Sequence, residues 1–250
     1  QDLDLQSTLF RKRKQDVLDL LKKQGLLVPV VQDIKDRFNK IGYNVQVETL
    51  NSAWYGSSTK RNRVIIVAIR KDIKKEFRYP FPSYYSKGVG VPLKKWDIKK
   101  IESLKSCLTV GDALKKIKYD PKDIDNHPMN HNPKTIERFK YIPEGDSIAN
   151  HIENLPTHLK ISKFYSRGNT MRLDRKVPSP TLVPGHSNFP VHPTEHRSIT
   201  VREAAMITGF PSKYKFLGNH TKRCEHVGNA VPPPLAFAIA KACLELLKGK

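Results

Sequence analysis

Apolar positions recur at helical spacing near the start of the chain. Residues 16–24 carry a short helical pattern, and a longer amphipathic helix ending at Gly42 follows it. Four apolar residues at steps of 3, 4 and 3 predict that second helix: Val31, Ile34, Phe38 and Ile41. The first forty residues are therefore predicted to be mainly helical.

Two strand patterns follow these helices. Residues Val45–Leu50 alternate between apolar and polar positions, which is typical of a strand. The run VIIVAI at Val64–Ile69 is continuously apolar and predicts a strand buried on both faces. Helix, strand and buried strand together indicate the edge of an α/β sheet that is covered by helices.

Regular patterning returns in the last quarter of the chain. Thr200–Gly209 predicts a short helix with a capping box, because Thr200 is followed three residues later by Glu203. Gly228–Pro234 then places Gly, Asn and three prolines in one stiff turn. The final predicted helix has one apolar face, formed by Leu235, Ile239, Ala242 and Leu246.

The middle of the chain has a different character. From about residue 71 to about residue 193 it is rich in Lys, Pro, Asn and His and has little long periodicity. This composition predicts a second domain of short strands and irregular loops. The simplest architecture is one α/β domain interrupted by a smaller domain, with the C-terminus returning to the first.

The net charge of the chain indicates what kind of partner it binds. The chain has 250 residues, 45 of them Lys or Arg and 24 acidic, so its formal net charge is +21. A charge of this size favours a polyanionic partner, and nucleic acid is the expected one. A generally lysine-rich proteome is the alternative explanation. Basic residues cluster at Arg11–Lys14, Lys94–Lys100 and Lys115–Lys118, which favours binding over a broad face.

Cysteine content and hydropathy exclude several classes of protein. Three cysteines (Cys107, Cys224 and Cys243) provide neither a disulfide framework nor the spacing of a metal site. We expect a reducing cytoplasm, no metal and no membrane partner, since no apolar run approaches the length of a membrane span.

The segment GNAVPPP at Gly228–Pro234 carries the most specific resemblance. Together with the upstream VREAA (Val201–Ala205) and GFP (Gly209–Pro211), it resembles the C-terminal block of the DNA cytosine-5 methyltransferases. The resemblance implies that S-adenosylmethionine is the cofactor. It also implies that the Asn229 side chain and the Ala230–Val231 backbone contact the amino-acid end of that cofactor. The alternative reading of this turn is a proline-braced helix start.

A second match begins at Asn51 and continues through Tyr55-Gly56 to Thr59-Lys60-Arg61-Asn62-Arg63. In the family, an Asn, a Tyr-Gly and a Gln-x-Arg-x-Arg precede a buried strand, and Thr59 stands here where Gln is usual. The resemblance implies two catalytic-site residues. Arg63 would hydrogen-bond the carbonyl oxygen of the extruded cytosine, and Arg61 would hold the site and the nearby phosphate. A solvated basic strand edge is the alternative.

A third match covers Arg172–Leu182, which includes a Pro-x-Pro-Thr turn and resembles the block that braces the recognition domain. Between the second and third blocks lies what the family uses as its target-recognition region, where side chains read base edges and lysines contact phosphate. The resemblance makes Thr59, Lys60, Arg172 and Thr181 candidate DNA-binding residues.

Three parts of a complete enzyme have no counterpart in the sequence, one of them the glycine-rich strand–turn that holds the other end of the cofactor. Cytosine-5 methylation uses a thiolate that adds to C6 of the base, and the family carries it in Pro-Cys-Gln. None of the three cysteines precedes Gln, so we assign none as nucleophile and expect all three to be small buried apolar residues. The acidic Glu-Asn-Val motif is also missing. Glu153-Asn154-Leu155 looks similar, but it follows the arginine strand and is too late in the chain.

The resemblance therefore implies the C-terminal half to two thirds of a restriction-modification methyltransferase. Its fold would be α/β, part of a Rossmann-like S-adenosylmethionine-dependent domain interrupted by a small, mostly β or irregular target-recognition domain. The predicted boundaries are 1–71 (catalytic domain), 72–196 (recognition domain), 197–226 (hinge) and 227–250 (return helix).

Two functions of different classes remain open. The chain is a split or truncated subunit of a prokaryotic, nucleoid-associated enzyme, which binds double-stranded DNA and needs a complementing polypeptide with the nucleophile. Alternatively, it is a catalytically inactive, stand-alone DNA-binding protein derived from such an enzyme. An RNA-binding structural protein would explain the charge but not the spaced motifs.

Overall fold

The computed structural model describes residues 29–118, 120–162, 170–183 and 189–248, together with Asp16 and Asp19. The helical pattern predicted at residues 16–24 therefore lies outside the described residues, apart from Asp16 and Asp19, which are helical. The α-helices of the described ranges are α1 (Val30–Lys40), α2 (Ile98–Glu102), α3 (Val110–Leu114), α4 (Pro133–Phe139), α5 (Val201–Thr208), α6 (His220–Asn229) and α7 (Pro233–Lys248).

Helix α1 confirms the amphipathic helix that the spacing predicts. It ends two residues before Gly42, which has a φ of +91° and so suits the chain reversal into the following strand. The apolar side chains of α1 are not buried: Val30 is 73% exposed and Ile41, at its C-cap, is 69% exposed.

Strands β1 (Tyr43–Asn51) and β2 (Asn62–Arg70) form a two-stranded sheet. They are antiparallel, since at one end the Ser52 amide donates to the Arg61 carbonyl (2.9 Å). The prediction that the VIIVAI strand is buried on both faces is wrong for this structure, because Val64 is 56% exposed and Ile66 is 39% exposed. A continuous apolar run is buried on both faces only where both faces are covered, and the face carrying these two residues is not.

Contacts divide the chain into two compact units, and the division falls within both strands. One unit consists of Gln1–Glu48 and Ile65–Phe77, and the other of Thr49–Val64 and Arg78–Lys250. The larger unit contains every residue discussed below as part of the candidate site.

Helix α5 lies at the centre of the larger unit's core. Its capping box is formed as predicted: the Glu203 amide donates to Thr200 Oγ1 (3.1 Å), and the Thr200 amide donates to Glu203 Oε2 (2.7 Å). Gly209 ends the helix in the left-handed conformation, with φ +97°. The cluster packed around α5 also takes in residues from α3, from the 173–189 segment, from the connection between α5 and α6, and from α6: Val110, Ala113, Leu173, Leu182, Phe189, Phe216, Cys224 and Val227.

The middle of the chain departs from the prediction. Between residues 72 and 196, the described backbone forms three short α-helices, short 3₁₀ turns and isolated bridges in place of the predicted short strands. Proline and local Asx or Ser/Thr caps account for this, since they start helical turns at Asp97, Thr109, Asn132 and Ser147. The irregularity of this region was predicted correctly, and its strand content was not.

Helix α7 is apolar on two opposite faces. Leu235 and Ala242 are buried on the predicted face, while Phe237 (73%), Leu244 (49%) and Leu247 (71%) are exposed on the other. Among the described residues no single helix is long and apolar enough to cross a membrane, although α6 and α7, bent by 44°, pass that test of length and composition as a pair.

Candidate functional site

The chain between the two strands is shaped by Asn51. Its Oδ1 accepts from the Ala53 amide (3.0 Å), and its Nδ2 donates to Asn62 Oδ1 at the start of β2 (2.7 Å). A 3₁₀ turn, Ser52–Tyr55, follows and ends at Gly56, whose φ of +100° is left-handed. One asparagine thus joins the two ends of the loop and fixes the point at which β2 begins.

The residues after Gly56 are tied to two distant segments. The Ser58 amide donates to the Ile207 carbonyl at the end of α5 (2.9 Å). The Thr59 hydroxyl donates to the Pro180 carbonyl (3.0 Å), and the Lys60 amide donates to the Ser179 carbonyl (2.7 Å). Three motifs that lie far apart in the sequence are therefore held together by backbone-directed hydrogen bonds.

Arg61 directly precedes β2, and it is only 5% exposed. Its guanidinium donates to the Leu182 carbonyl (3.1 Å) and to the Gly228 carbonyl in the last turn of α6. Carbonyls in the last turn of a helix lack intrahelical partners and carry partial negative charge. Arg61 therefore caps α6 and holds the start of the Gly228–Pro234 turn. Its Nε is buried and has no hydrogen-bond partner within the described ranges.

Arg63 follows two residues later, within β2. Its side chain is half-buried beside the Gly228–Pro234 turn. It donates to the Asn62 carbonyl (3.1 Å) and, at 3.4 Å, to the Ala230 carbonyl. Burial lowers the pKa of Arg63, yet a guanidinium remains charged at neutral pH. Because its contact with Ala230 is long, Arg63 keeps donor capacity for an incoming carbonyl oxygen or phosphate.

The turn itself presents Asn229 to solvent. The Ala230 amide donates to the His226 carbonyl (3.2 Å), and α7 begins four residues after Asn229, at Pro233. A side chain added to Gly209 would place its Cβ 2.7 Å from Pro234 Cδ. The turn is thus held on one side by the two arginines and on the other by the end of α5.

The four candidate DNA-binding residues fall into two places. Thr59, Lys60 and Thr181 lie together, since the Thr181 hydroxyl donates to the Lys60 carbonyl (3.2 Å). Thr59 is 1% exposed, Lys60 is half-buried and Thr181 is exposed. Arg172 belongs to a different set of loops. The DNA contacts predicted for these residues stay predictions.

Arg172 is 4% exposed, and its guanidinium joins three loops. Its Nε donates to the Ile142 carbonyl (2.6 Å), Nη1 donates to the His192 carbonyl (2.6 Å), and Nη2 donates to the Phe139 carbonyl (2.5 Å). Burial lowers its pKa. Such full use of the donors supports the bracing role that the resemblance implies.

A buried ionic cluster is one feature that the sequence patterns did not reveal. Asp125, 2% exposed, accepts from Arg223 Nη1 (2.8 Å) and from Arg202 Nη2 (3.3 Å). Arg202 Nε also donates to Asp123 Oδ2 (2.7 Å). These partners are 77 to 98 residues apart, and no local spacing signals such pairs.

The prediction that all three cysteines are buried is confirmed for two of them. Cys107 and Cys224 are buried, and Cys243 is half-buried. Burial raises the pKa of Cys107, and it raises that of Cys224 to about 11. A thiol of this kind stays protonated at neutral pH and is a poor nucleophile.

Comparison with known proteins decides the family. The family model for C-5 cytosine-specific DNA methylases matches residues 17–245. The chain belongs to the C-5 cytosine-specific DNA methylase family. This membership confirms the resemblance predicted from the sequence, and C-5 DNA methyltransferases of this family use S-adenosylmethionine as methyl donor.

Relatives place this methylase chain among those of restriction-modification type. It is 31% identical over 221 residues to the type II methyltransferase M.NgoFVII of Neisseria gonorrhoeae, covering 86% of this chain and 54% of the relative. It is 30% identical over 226 residues to the type II methyltransferase M.Eco47II of Escherichia coli, covering 87% and 50%. The chain thus spans about half the length of these curated relatives.

A solved structure supports the methyltransferase fold. It is a crystal structure described as a DNA modification methyltransferase encoded within a prophage (E. coli), and it superposes with a TM-score of 0.62 at 22% identity. The superposition covers 90% of this methylase chain and 67% of the other. The α/β fold predicted for the catalytic part is that of an S-adenosylmethionine-dependent methyltransferase.

The turn at Asn229 fits one end of that cofactor. An exposed amide side chain offers both a donor and an acceptor, which suits a group carrying an ammonium and a carboxylate. The backbone beneath it is fixed by Arg61 and by the contact of Gly209 with Pro234. Asn229, Ala230 and Val231 thus lie in a turn that is fixed before any ligand binds, and the contact predicted between them and the amino-acid end of the cofactor stays a prediction.

Proposed function

We propose that this chain is the C-terminal part of a type II cytosine-5 DNA methyltransferase. In this proposal it binds duplex DNA, contacts the extruded cytosine and closes the S-adenosylmethionine pocket. Methyl transfer needs a further polypeptide segment that carries Pro-Cys-Gln and Glu-Asn-Val. The observation that carries the proposal is the convergence of Arg61 and Arg63 on the turn at Gly228–Ala230.

Each residue has a distinct role in the proposal. Arg63 donates to the carbonyl oxygen of the extruded cytosine and holds the ring for attack. Arg61 is a positioning residue, because its donors are occupied by the Leu182 and Gly228 carbonyls. Asn229 binds the amino-acid end of S-adenosylmethionine, which supplies the methyl group when bound. Lys60 and Thr181 lie beside Arg61 and are proposed to face the DNA. The buried Thr59 holds their loop through its hydrogen bond to the Pro180 carbonyl, and Arg172 holds the recognition loops.

The second face of α7 supports the need for a further segment. An apolar helix face normally packs against another part of a protein, yet Phe237 and Leu247 are 73% and 71% exposed. The absence of a nucleophile motif from the sequence and the half-length coverage of the relatives agree with this. We propose that the nucleophile-bearing half packs on Phe237, Leu244 and Leu247.

Complementation tests this function directly. The chain is assayed for methyl transfer to duplex DNA from labelled S-adenosylmethionine, alone and after mixing with a polypeptide that carries Pro-Cys-Gln and Glu-Asn-Val, taken from the adjacent reading frame. We expect no transfer by either polypeptide alone and sequence-dependent transfer by the mixture. Transfer by the isolated chain would overturn the proposal. Tight DNA binding with no transfer by a well-formed mixture would favour the stand-alone DNA-binding protein.

A further inference from the structure

A lysine-rich segment lies outside the candidate site just described. Within residues 94–100, hereafter the lysine ledge, Lys94, Lys95, Lys99 and Lys100 are all exposed, and the one acidic residue is Asp97. The Asp97 carboxylate is engaged as the cap of α2, where it accepts from the Lys99 amide (3.0 Å) and the Lys100 amide (3.4 Å). Four ammonium groups against one engaged carboxylate give the ledge a strongly positive surface.

Aromatic rings pack against the residues of the lysine ledge. The Trp96 ring packs edge-on against Trp54 and against Phe81, with centroid distances of 5.8 Å in both cases. Lys100 Nζ lies 5.2 Å from the centroid of Phe81, and Lys95 Nζ lies 5.0 Å from that of Tyr79. The ammonium groups of these two lysines thus lie within cation–π distance of the rings, and both residues are exposed.

These aromatic rings are joined to the loop that carries Arg61 and Arg63. Trp54 belongs to the 3₁₀ turn between β1 and β2, and its indole Nε1 donates to the Val89 carbonyl (2.7 Å). Gly90 has φ +72°, and a Cβ on it would lie 2.6 Å from Trp54 Cζ2, so only glycine allows this approach. The lysine ledge therefore packs, through Trp96, directly against the loop that leads to Arg61 and Arg63.

We propose that the lysine ledge binds the phosphate backbone of the duplex whose cytosine enters the candidate site, and so sets its register without reading bases. This inference rests on the proposed function. Duplex DNA carries one negative charge per about 1.7 Å of helix axis, a spacing dense enough for each exposed lysine of the ledge to meet a phosphate. Single-stranded nucleic acid fits less well, because its binding uses exposed ring faces. Here Trp54 and Tyr79 are 1% and 5% exposed.

Salt-dependent binding tests the ledge with a charge-matched control. The variant K94Q/K99Q/K100Q and the control K213Q/K215Q/K241Q each remove three exposed positive charges from the same unit. Binding to duplexes of different sequence is measured by fluorescence anisotropy over a series of salt concentrations. For the ledge variant, we expect the slope of log K against log salt to become shallower by about 2 to 3, since each phosphate contact contributes about 0.9. Affinity should fall by a similar factor for every duplex.

The control and a conservative variant make the outcome specific. We expect the control to change the slope by less than about 1, and K94R/K99R/K100R to bind as tightly as the unmodified chain. Equal losses in the ledge variant and the control, or no loss in the ledge variant, would overturn the inference alone. Failure of the unmodified chain to bind duplex DNA, or a preference for structured RNA, would overturn the proposed function as well.

Discussion

Arg61 and Gly228 lie 167 residues apart in the sequence, and the guanidinium of the first donates to the carbonyl of the second. This contact joins the arginine strand to the turn that precedes the last helix. Arg61 is buried and a second donor binds the Leu182 carbonyl. The arrangement indicates that Arg61 serves the architecture, and the catalytic role of the pair is proposed for Arg63.

The first prediction concerns Arg61. Arg61→Ala leaves two buried carbonyls without their donor, and each hydrogen bond to a charged group is worth about 1.5 to 3 kcal/mol. We expect the free energy of unfolding of the chain to fall by about 3 kcal/mol. Urea denaturation followed by circular dichroism measures it. An unchanged unfolding midpoint would contradict the capping role.

Arg63 should show the opposite pattern. Its contact with Ala230 is long, at 3.4 Å, and the side chain is half-buried, so Arg63→Ala should leave the free energy of unfolding within about 1 kcal/mol of the parent. In the complemented enzyme we expect the turnover number to fall by about 10²- to 10³-fold, as for the loss of one donor to a reacting carbonyl. Arg70→Ala, on the exposed end of β2, is the control. Equal turnover numbers for parent and variant would contradict a catalytic role for Arg63.

Asn229→Ala tests the cofactor wall. The side chain is exposed, so its removal should not weaken the fold, and DNA binding by the isolated chain should stay the same. In the complemented enzyme, the Kd for S-adenosylmethionine should rise by about tenfold, which corresponds to roughly 1.4 kcal/mol. Isothermal titration calorimetry separates the two effects. Loss of DNA affinity together with cofactor affinity would indicate a general structural role.

The contact between Gly209 and Pro234 gives a paired test of backbone strain. Gly209→Ala adds a Cβ 2.7 Å from two proline carbons at a φ of +97°. Gly88→Ala serves as the control, because Gly88 has φ +80° but nothing within 4 Å of the added Cβ. We expect the control to cost about 1 kcal/mol for the left-handed conformation. The Gly209 variant should cost about 2 kcal/mol more, since the steric clash is added. Thermal unfolding of both variants checks the difference.

The outer face of α7 makes a prediction about assembly. Phe237→Gln and Leu247→Gln replace exposed side chains, so the isolated chain should keep its stability within about 0.5 kcal/mol. Association with the nucleophile-bearing half should weaken at least tenfold, because about 1.5 to 3 kcal/mol of apolar burial is lost for each side chain. Analytical ultracentrifugation of the mixture gives the affinity. Lys241→Gln, on the same helix, is the matched control.

Local features of the fold could be predicted from the sequence, whereas long-range ones could not. The capping box of Thr200 and Glu203 depends on residues three apart, and it was predicted and formed as expected. The burial of β2 was predicted wrongly at Val64 and Ile66, because an apolar run does not reveal which faces are covered. Helical turns in the middle region depend on single caps such as Asn132, which periodicity does not detect.

The candidate site shows the same limit. The resemblance identified Arg61, Arg63 and Asn229 as residues of interest, but the division of work between the two arginines depends on burial. Asp125 and its arginine partners were missed, because their separation of 77 to 98 residues leaves no pattern in the chain. Residue type suggested the chemistry, and only the packing showed which groups are free to perform it.

The contact of Trp54 with Trp96 has a practical consequence. These are the only two tryptophans in the sequence, and they lie 5.8 Å apart at one place in the molecule. Intrinsic fluorescence excited at the indole band therefore reports on that spot alone, without any label. A spectral change on adding duplex DNA would show that the lysine ledge moves relative to Trp54. A constant spectrum would show that the two tryptophans keep their relative position.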